Sequence, residues 1–240
     1  MINSLIEKHL DSIVKIVAFD DTGKMIKLFT GSFYISQNFN SGSNFSNNNN
    51  ILIITAKHSI NDDRIAKLEL SYRAYNEFKK FQINLSEYET TDVPDFDLSV
   101  IHVKKSIYYN FSSRTLKTMI YSKDSNPYNN LIKYQVTIPG YYDKHVEPCI
   151  VEYGEICSRY NMHRFYIKSK SITEGYSGAP VFINLLINNS RSPNPETQLF
   201  LIGYVSKKVG NNNIEIVSAE NLLLIDEILK RKCLSSPTIW

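Results

Sequence analysis

Apolar positions along this chain fall into short runs, many of them alternating with polar residues at a period near two. Residues 12–19 (Ser-Ile-Val-Lys-Ile-Val-Ala-Phe) are β-branched and partly alternating. Asp20-Asp21-Thr22-Gly23 supplies a turn and residues 25–35 resume the extended pattern, which predicts a hairpin. Further apolar runs at residues 51–55, 68–72, 81–85 and 98–103 bring the first 105 residues to six predicted strands, enough to close a small barrel. Residues 106–130 turn polar and irregular, rich in Tyr, Ser and Asn, and read as a connection. Strand patterns return at residues 131–138, 149–157, 164–168, 179–187, 199–206 and 213–217, again six, separated by Gly, Pro and Asn. The expectation is an all-β chain of two six-stranded antiparallel β-barrels, spanning residues 1–105 and 131–217.

Only near the end does the period change. Leu222, Ile225, Ile228 and Leu229 recur at helical spacing, Ser218 stands where an N-cap belongs, and Lys230, Arg231 and Lys232 suit the negative end of the helix dipole. A C-terminal α-helix over residues 219–232 is therefore expected within a closing segment, 218–240. The tract 38–50, with four successive asparagines at 47–50, cannot bury enough apolar surface to order itself and reads as a mobile insertion in a hairpin. The tail 235–240 ends in the only tryptophan; it reads either as a disordered end or as an aromatic anchor for a partner's groove.

Composition changes this picture little. Of 240 residues, 42% are hydrophobic and 21% charged, the balance of an ordinary globular protein. A net charge of +3 with lysines scattered as the pairs Lys79-Lys80, Lys104-Lys105 and Lys207-Lys208 gives no clustered basic face, so no nucleic-acid partner is expected. Charges interrupt every apolar run of the first eleven residues, which excludes a signal-peptide core there and sets the expectation of a cytoplasmic protein without a membrane partner. Cys149, Cys157 and Cys233 lack metal-ligand or disulfide-framework spacing and are expected to be reduced thiols, most of them buried.

Three residues suggest chemistry. His58, one of five histidines, follows the strand pattern Ile-Ile-Thr-Ala-Lys-His, where rigid backbone can hold a general base at the edge of a cleft. By itself such a histidine is more often structural. Asp97 opens the apolar run Leu-Ser-Val-Ile; a carboxylate there needs a partner, and an imidazole N–H is one, although nearby backbone N–H groups are another. Asp95 competes for the same role without the adjacent strand. Ser177, in Gly-Tyr-Ser-Gly-Ala-Pro, is the most specific of the three. Gly175 can adopt backbone angles closed to other residues, so that its N–H and that of Ser177 turn inward as an oxyanion hole, and Gly178 leaves room beside the nucleophile. A glycine-containing turn entering a strand is the plainer reading of the same residues.

Taken together and in order, Gly31-Ser32-Phe33-Tyr34-Ile35, Thr55-Ala56-Lys57-His58, Asp97-Leu98-Ser99-Val100, Gly175-Tyr176-Ser177-Gly178-Ala179-Pro180 and Leu201-Ile202-Gly203-Tyr204-Val205-Ser206 resemble the trypsin or chymotrypsin-like serine peptidases. Within that family the likeness is to bacterial intracellular and HtrA-like members without a propeptide. The resemblance spans nearly the whole chain and implies a chymotrypsin-like double barrel, with His58, Asp97 and Ser177 as catalytic triad and Gly175 and Ser177 as oxyanion hole. It implies a serine endopeptidase that needs no metal or cofactor and takes a protein or peptide substrate. A dedicated partner in a stress or defence system and a regulatory protein partner are further expectations, and an inactive or latent peptide-binding module is the alternative. Tyr176 stands where secreted members carry an aspartate that pairs with a freed amino terminus, so zymogen cleavage is not expected. The same alignment puts Ser171, not an acid, at the base of the primary specificity pocket, and Ser206 and Lys208 in its wall. With Lys208 pointing inward the pocket favours acidic side chains; with Lys208 outward it takes apolar or aromatic ones.

Overall fold

The first hairpin forms as its turn chemistry predicts. In a computed structural model, which describes residues 2–7, 9–34, 51–74, 77–103, 119–120, 131–142, 149–161, 163–187, 196–222, 224 and 227–228, Asp20 Oδ1 accepts hydrogen bonds from the N–H of Thr22 (3.0 Å) and of Lys24 (2.8 Å). Gly23 takes a left-handed φ of 82°. Strands β1 (Ile13–Phe19) and β2 (Met25–Phe33) flank that turn. They are followed by β3 (Ile51–Thr55), a one-turn helix α2 (Lys57–Ile60), β4 (Lys67–Ala74), β5 (Glu77–Asn84), β6 (Tyr88–Asp92) and β7 (Ser99–Val103). A short helix α1 (Ile2–Glu7) precedes them all. The strands form one antiparallel sheet in the order β5-β4-β1-β2-β3-β7-β6.

The second half builds a closed ring. Strands β9 (Gln135–Gly140), β10 (Ile150–Asn161), β11 (Arg164–Lys168), β12 (Pro180–Ile187), β13 (Glu196–Val209) and β14 (Asn213–Ser218) pair antiparallel in the order β12-β9-β10-β11-β14-β13, and β12 pairs again with β13 to shut it. Within the region read as an irregular connection, Met119–Ile120 forms a short strand, β8, parallel to β13.

The chain is thus all-β and matches the expected double barrel, with two differences. The first half carries seven strands, because β6 (Tyr-Glu-Thr-Thr-Asp) pairs with β7 although its polar sequence shows no apolar alternation. Among the described residues its pairing leaves the sheet open between β5 and β6, so it is a half-barrel beside a closed six-stranded one. Residues 131–134 make a turn with Lys133 at φ 73°, and the strand that follows starts only at Gln135. After β14, Ala219–Asn221 form a 3-10 turn, and residues 222, 224, 227 and 228 are helical; the remainder of the expected helix, the Asn-rich tract, the tail and Cys233 lie outside the described residues.

Three apolar clusters hold these layers. One, including Val14, Ile16, Phe29, Ile53, Leu70 and Ile101, fills the first half. A second, including Val136, Ile156, Phe165, Val181 and Ile216, fills the closed ring. The third, with Ile54, Val100, Tyr141, Phe182, Leu201 and Tyr204, welds the two halves. Burying a side chain of this size stabilises the fold by about 1.5–3 kcal/mol. Among the described residues no helix is long and apolar enough to cross a membrane.

Candidate active site

Strand pairing brings His58 and Asp97 together. Thr55, the last residue of β3, is paired with Ser99, the first of β7, so the segments just beyond each strand end face one another. Asp97 sits in the turn before β7, two residues ahead of the strand. The turn is closed by Val93 N–H to Leu98 O (2.9 Å) and Phe96 N–H to Val93 O (3.3 Å). Its carboxylate accepts three hydrogen bonds: Oδ1 from the His58 backbone N–H (2.8 Å), and Oδ2 from the His58 ring at Nδ1 (2.7 Å) and from the Ser206 hydroxyl (2.6 Å). Burial raises the pKa of this carboxyl, but the ring, hydroxyl and backbone donors together outweigh it and leave the group at about 2. The His58 side chain is 47% exposed against 23% for Asp97, so the imidazole is the part that a substrate can reach. Lys27 Nζ donates to His58 O (3.2 Å) and fixes the backbone on the other side.

Ser206, assigned by alignment to the substrate wall, is fully buried at a bulge of β13, between Val205 and Lys207. A bulge re-aims a side chain off the sheet's alternation, and here it aims the hydroxyl at Asp97. The signal was in the sequence, since a small polar residue ends the apolar run 199–205, but its target lies 109 residues away.

Ser177 follows a 3-10 turn, Glu174–Tyr176, and enters β12 through Gly178 and Ala179. Thr30 on β2 receives this loop. Its N–H donates to Ser177 O (2.9 Å), its hydroxyl donates to Gly175 O (2.8 Å) and accepts from Tyr141 N–H (3.0 Å), and its carbonyl accepts from the Thr55 hydroxyl (2.7 Å). Gly178 has φ 83°, and a Cβ there would lie 2.2 Å from Thr30 O, 2.3 Å from Thr55 Oγ1 and 2.7 Å from Ala56 N. The loop therefore abuts the residues that lead into His58, and only glycine fits at the joint. Ser177 is half-buried. Its hydroxyl makes no hydrogen bond to His58 Nε2, which instead faces Ser59 Oγ at 3.3 Å.

Of the two N–H groups expected to form an oxyanion hole, that of Ser177 is engaged within its own turn. Ser177 N–H donates to Glu174 O (3.1 Å) within the 3-10 turn, and Gly175 has no left-handed φ. What excludes a side chain at Gly175 is space: a Cβ would lie 2.2 Å from Tyr141 O and 2.8 Å from Tyr142 Cα. Tyr176 is fully buried, with its ring so close to Gly140 that a Cβ there would approach it to 2.5 Å, and its hydroxyl donates to Ile150 O (3.2 Å). Burial pushes that phenol well above its ordinary pKa, so a neutral tyrosine occupies the place of the expected family's aspartate.

Of the residues aligned with the specificity pocket, Ser171 is exposed and donates its hydroxyl to the Glu152 carboxylate on β10. An acid therefore stands beside the position where the alignment showed none, a neighbour that sequence order gave no means of finding. Lys208 is exposed on β13 opposite Ile214 of β14. Among the described residues no cluster of histidine, cysteine and carboxylate side chains could hold a metal ion. Cys149 is buried, Cys157 is half-buried, and both are free thiols, with burial pushing Cys149 up to about 12.

No family model matches this chain, and no curated protein does. Among solved structures, it is similar to the Rv3671c protease from M. tuberculosis in its active form, at 13% identity and a TM-score of 0.55, covering 92% of this chain and 82% of that one. It is equally similar to the inactive form of the Rv3671c protease, at 13% identity and a TM-score of 0.55, covering 92% and 90%. At this identity the likeness is one of fold, and it extends over nearly all of this chain.

Proposed function

We propose that the chain is a serine endopeptidase with Ser177 as nucleophile, His58 as general base and Asp97 as the group that orients the imidazole. The observation that carries this reading is the Asp97 carboxylate held by the His58 N–H, the His58 ring and the Ser206 hydroxyl, beside a loop that presents Ser177. An Asp-bound Nδ1–H leaves Nε2 as the basic nitrogen on the exposed side of the ring. Ser177 Oγ attacks the substrate carbonyl while Nε2 takes its proton. The same proton then goes to the departing amine, leaving an acyl-enzyme ester that water hydrolyses by the reverse relay. His58 Nε2 must exchange Ser59 for Ser177 as its partner before the first step.

A latent form of this enzyme is the second reading, and the Ser177 N–H bound to Glu174 O favours it. Glu174 C=O and Gly175 N–H belong to one peptide unit. Rotating that unit frees the Ser177 N–H and turns the Gly175 N–H toward the same point, so one motion would assemble both donors for a developing oxyanion. On this reading a substrate or regulatory partner in the cleft supplies the energy for the rotation.

The two readings part in one experiment. Labelling with a fluorophosphonate probe, alongside Ser177→Ala, is expected to mark the wild-type serine alone. Efficient labelling of the resting protein supports a ready enzyme, and labelling that appears only with peptide added supports latency. Folded protein that never labels would sink the peptidase proposal and leave a peptide-binding module. Glu152 beside Ser171 and Lys208 on the opposite strand carry opposite charge, so a library varying the residue before the cut among basic, acidic, aromatic and aliphatic side chains reads out which of them faces substrate.

A further inference from the structure

The turn that presents Asp97 is held from the other half of the molecule. Asp95 lies in it with a left-handed φ of 65°, a conformation that costs an L-residue roughly 1–2 kcal/mol unless its surroundings compensate. Arg164, at the start of β11, donates from Nη2 to the Asp95 carbonyl (2.8 Å). Its guanidinium lies over the Phe96 ring, 6.0 Å from the centroid, and faces the buried Glu215 carboxylate at 3.8 Å. The neighbouring His163 packs its ring against Phe96 at 5.0 Å. Residues 95, 96 and 97 are thus gripped in succession by Arg164, by Arg164 with His163, and by Ser206, all from the second barrel.

We propose that Arg164 is a positioning residue for the Asp97–His58 pair. By fixing the 93–98 turn from across the interface, it sets the carboxylate against the His58 ring and N–H, which makes the alignment of the general base depend on the docking of the two halves. An arginine suits this task because a planar fork can donate to a carbonyl, lie over an aromatic face and meet a carboxylate at once, whereas a lysine offers a compact point charge without the flat face. The kinetic consequence rests on the peptidase reading, but the geometric one does not.

The test uses the full chain with Arg164→Ala and Arg164→Lys, and reads amide hydrogen exchange at His58, whose N–H is donated to Asp97 Oδ1, against the β3 amides of Ile53 and Ile54. Loss of one such hydrogen-bonded anchor is expected to lower His58 protection about tenfold in Arg164→Ala, with the β3 amides unchanged and partial recovery in Arg164→Lys. In the active enzyme kcat falls by a similar factor while KM stays put. Phe96→Leu, which keeps apolar bulk and removes the flat face, gives a smaller loss at the same amide and serves if Arg164→Ala does not fold. Unchanged His58 protection in a folded Arg164→Ala, or an equal loss at β3, would overturn the proposal. Altered His58 protection in a protein that never turns over substrate would uphold the positioning role and count against the peptidase reading alone.

Discussion

The two halves of the molecule stand at different stages of readiness. In the open first sheet, His58 and Asp97 are already paired, with Asp97 accepting two hydrogen bonds from His58 and its carboxyl held at about 2. In the closed second ring, the loop that carries Ser177 keeps its own N–H for Glu174 O, and the serine hydroxyl has not met the imidazole. The more regular barrel therefore carries the less finished part of the site. The lesson is physical: a carboxylate held by a ring, a backbone N–H and a buried hydroxyl is fixed from three sides, whereas the serine loop spends its own N–H on a local turn.

The comparison is broken most severely at its finished side. Asp97→Asn keeps the shape but favours the wrong imidazole tautomer, and kcat is expected to fall by ~10⁴ with little change in KM, measured by steady-state hydrolysis. The joint between the halves comes next. Gly178→Ala places a methyl group against Thr30 O and Thr55 Oγ1 at φ 83°, and left-handed strain plus overpacking should cost about 3 kcal/mol, read as a lowered midpoint in denaturant unfolding.

The smallest effect sharpens the comparison instead of breaking it. Ser206→Ala removes one of the donors that lower the Asp97 pKa, so that pKa rises, and catalysis should drop roughly tenfold. The sign for stability follows from the direction of the shift. With Asp97 at about 2 in the fold and roughly 3.9 when unfolded, its contribution is full above pH ~4 and is lost as pH falls toward 2. In Ser206→Ala the contribution is smaller and vanishes at a higher pH, so acid unfolding, followed by circular dichroism, begins earlier. An unchanged acid midpoint would mean that Ser206 does not support the carboxylate.

Much of the architecture was legible because strands and turns announce themselves locally. Asp20 to Gly23 reads as a turn from four adjacent residues, and β3 falls on the five residues that its apolar run marks out. β6 was hidden because an edge strand paired on one side needs no apolar alternation. The residues around the candidate site divide in the same way. His58, Asp97 and Ser177 stand in local patterns that can be recognised one at a time, and Gly178 is marked by its neighbours. Ser206 as a partner of Asp97, Glu152 as a neighbour of Ser171, and Arg164 as the clasp on Asp95 are relations between strands far apart in sequence, which only the folded register creates. The Glu174 carbonyl belongs to a third kind, since nothing in residue identity says which way a peptide plane faces.

Thr30 carries a consequence for synthesis. This one residue, made early, offers its N–H to Ser177, its hydroxyl to Gly175 and Tyr141, and its carbonyl to Thr55. A nascent chain that has reached β11 holds His58 and Asp97 but neither Ser177 nor the Ser206 that completes the hold on Asp97, and the serine loop, when it emerges, meets Thr30 already placed on β2. On the proposed reading, activity arises only once the second ring has closed against the first sheet. On the proposed peptidase reading, an enzyme assembled in that order spares the ribosome and its own unfinished copies.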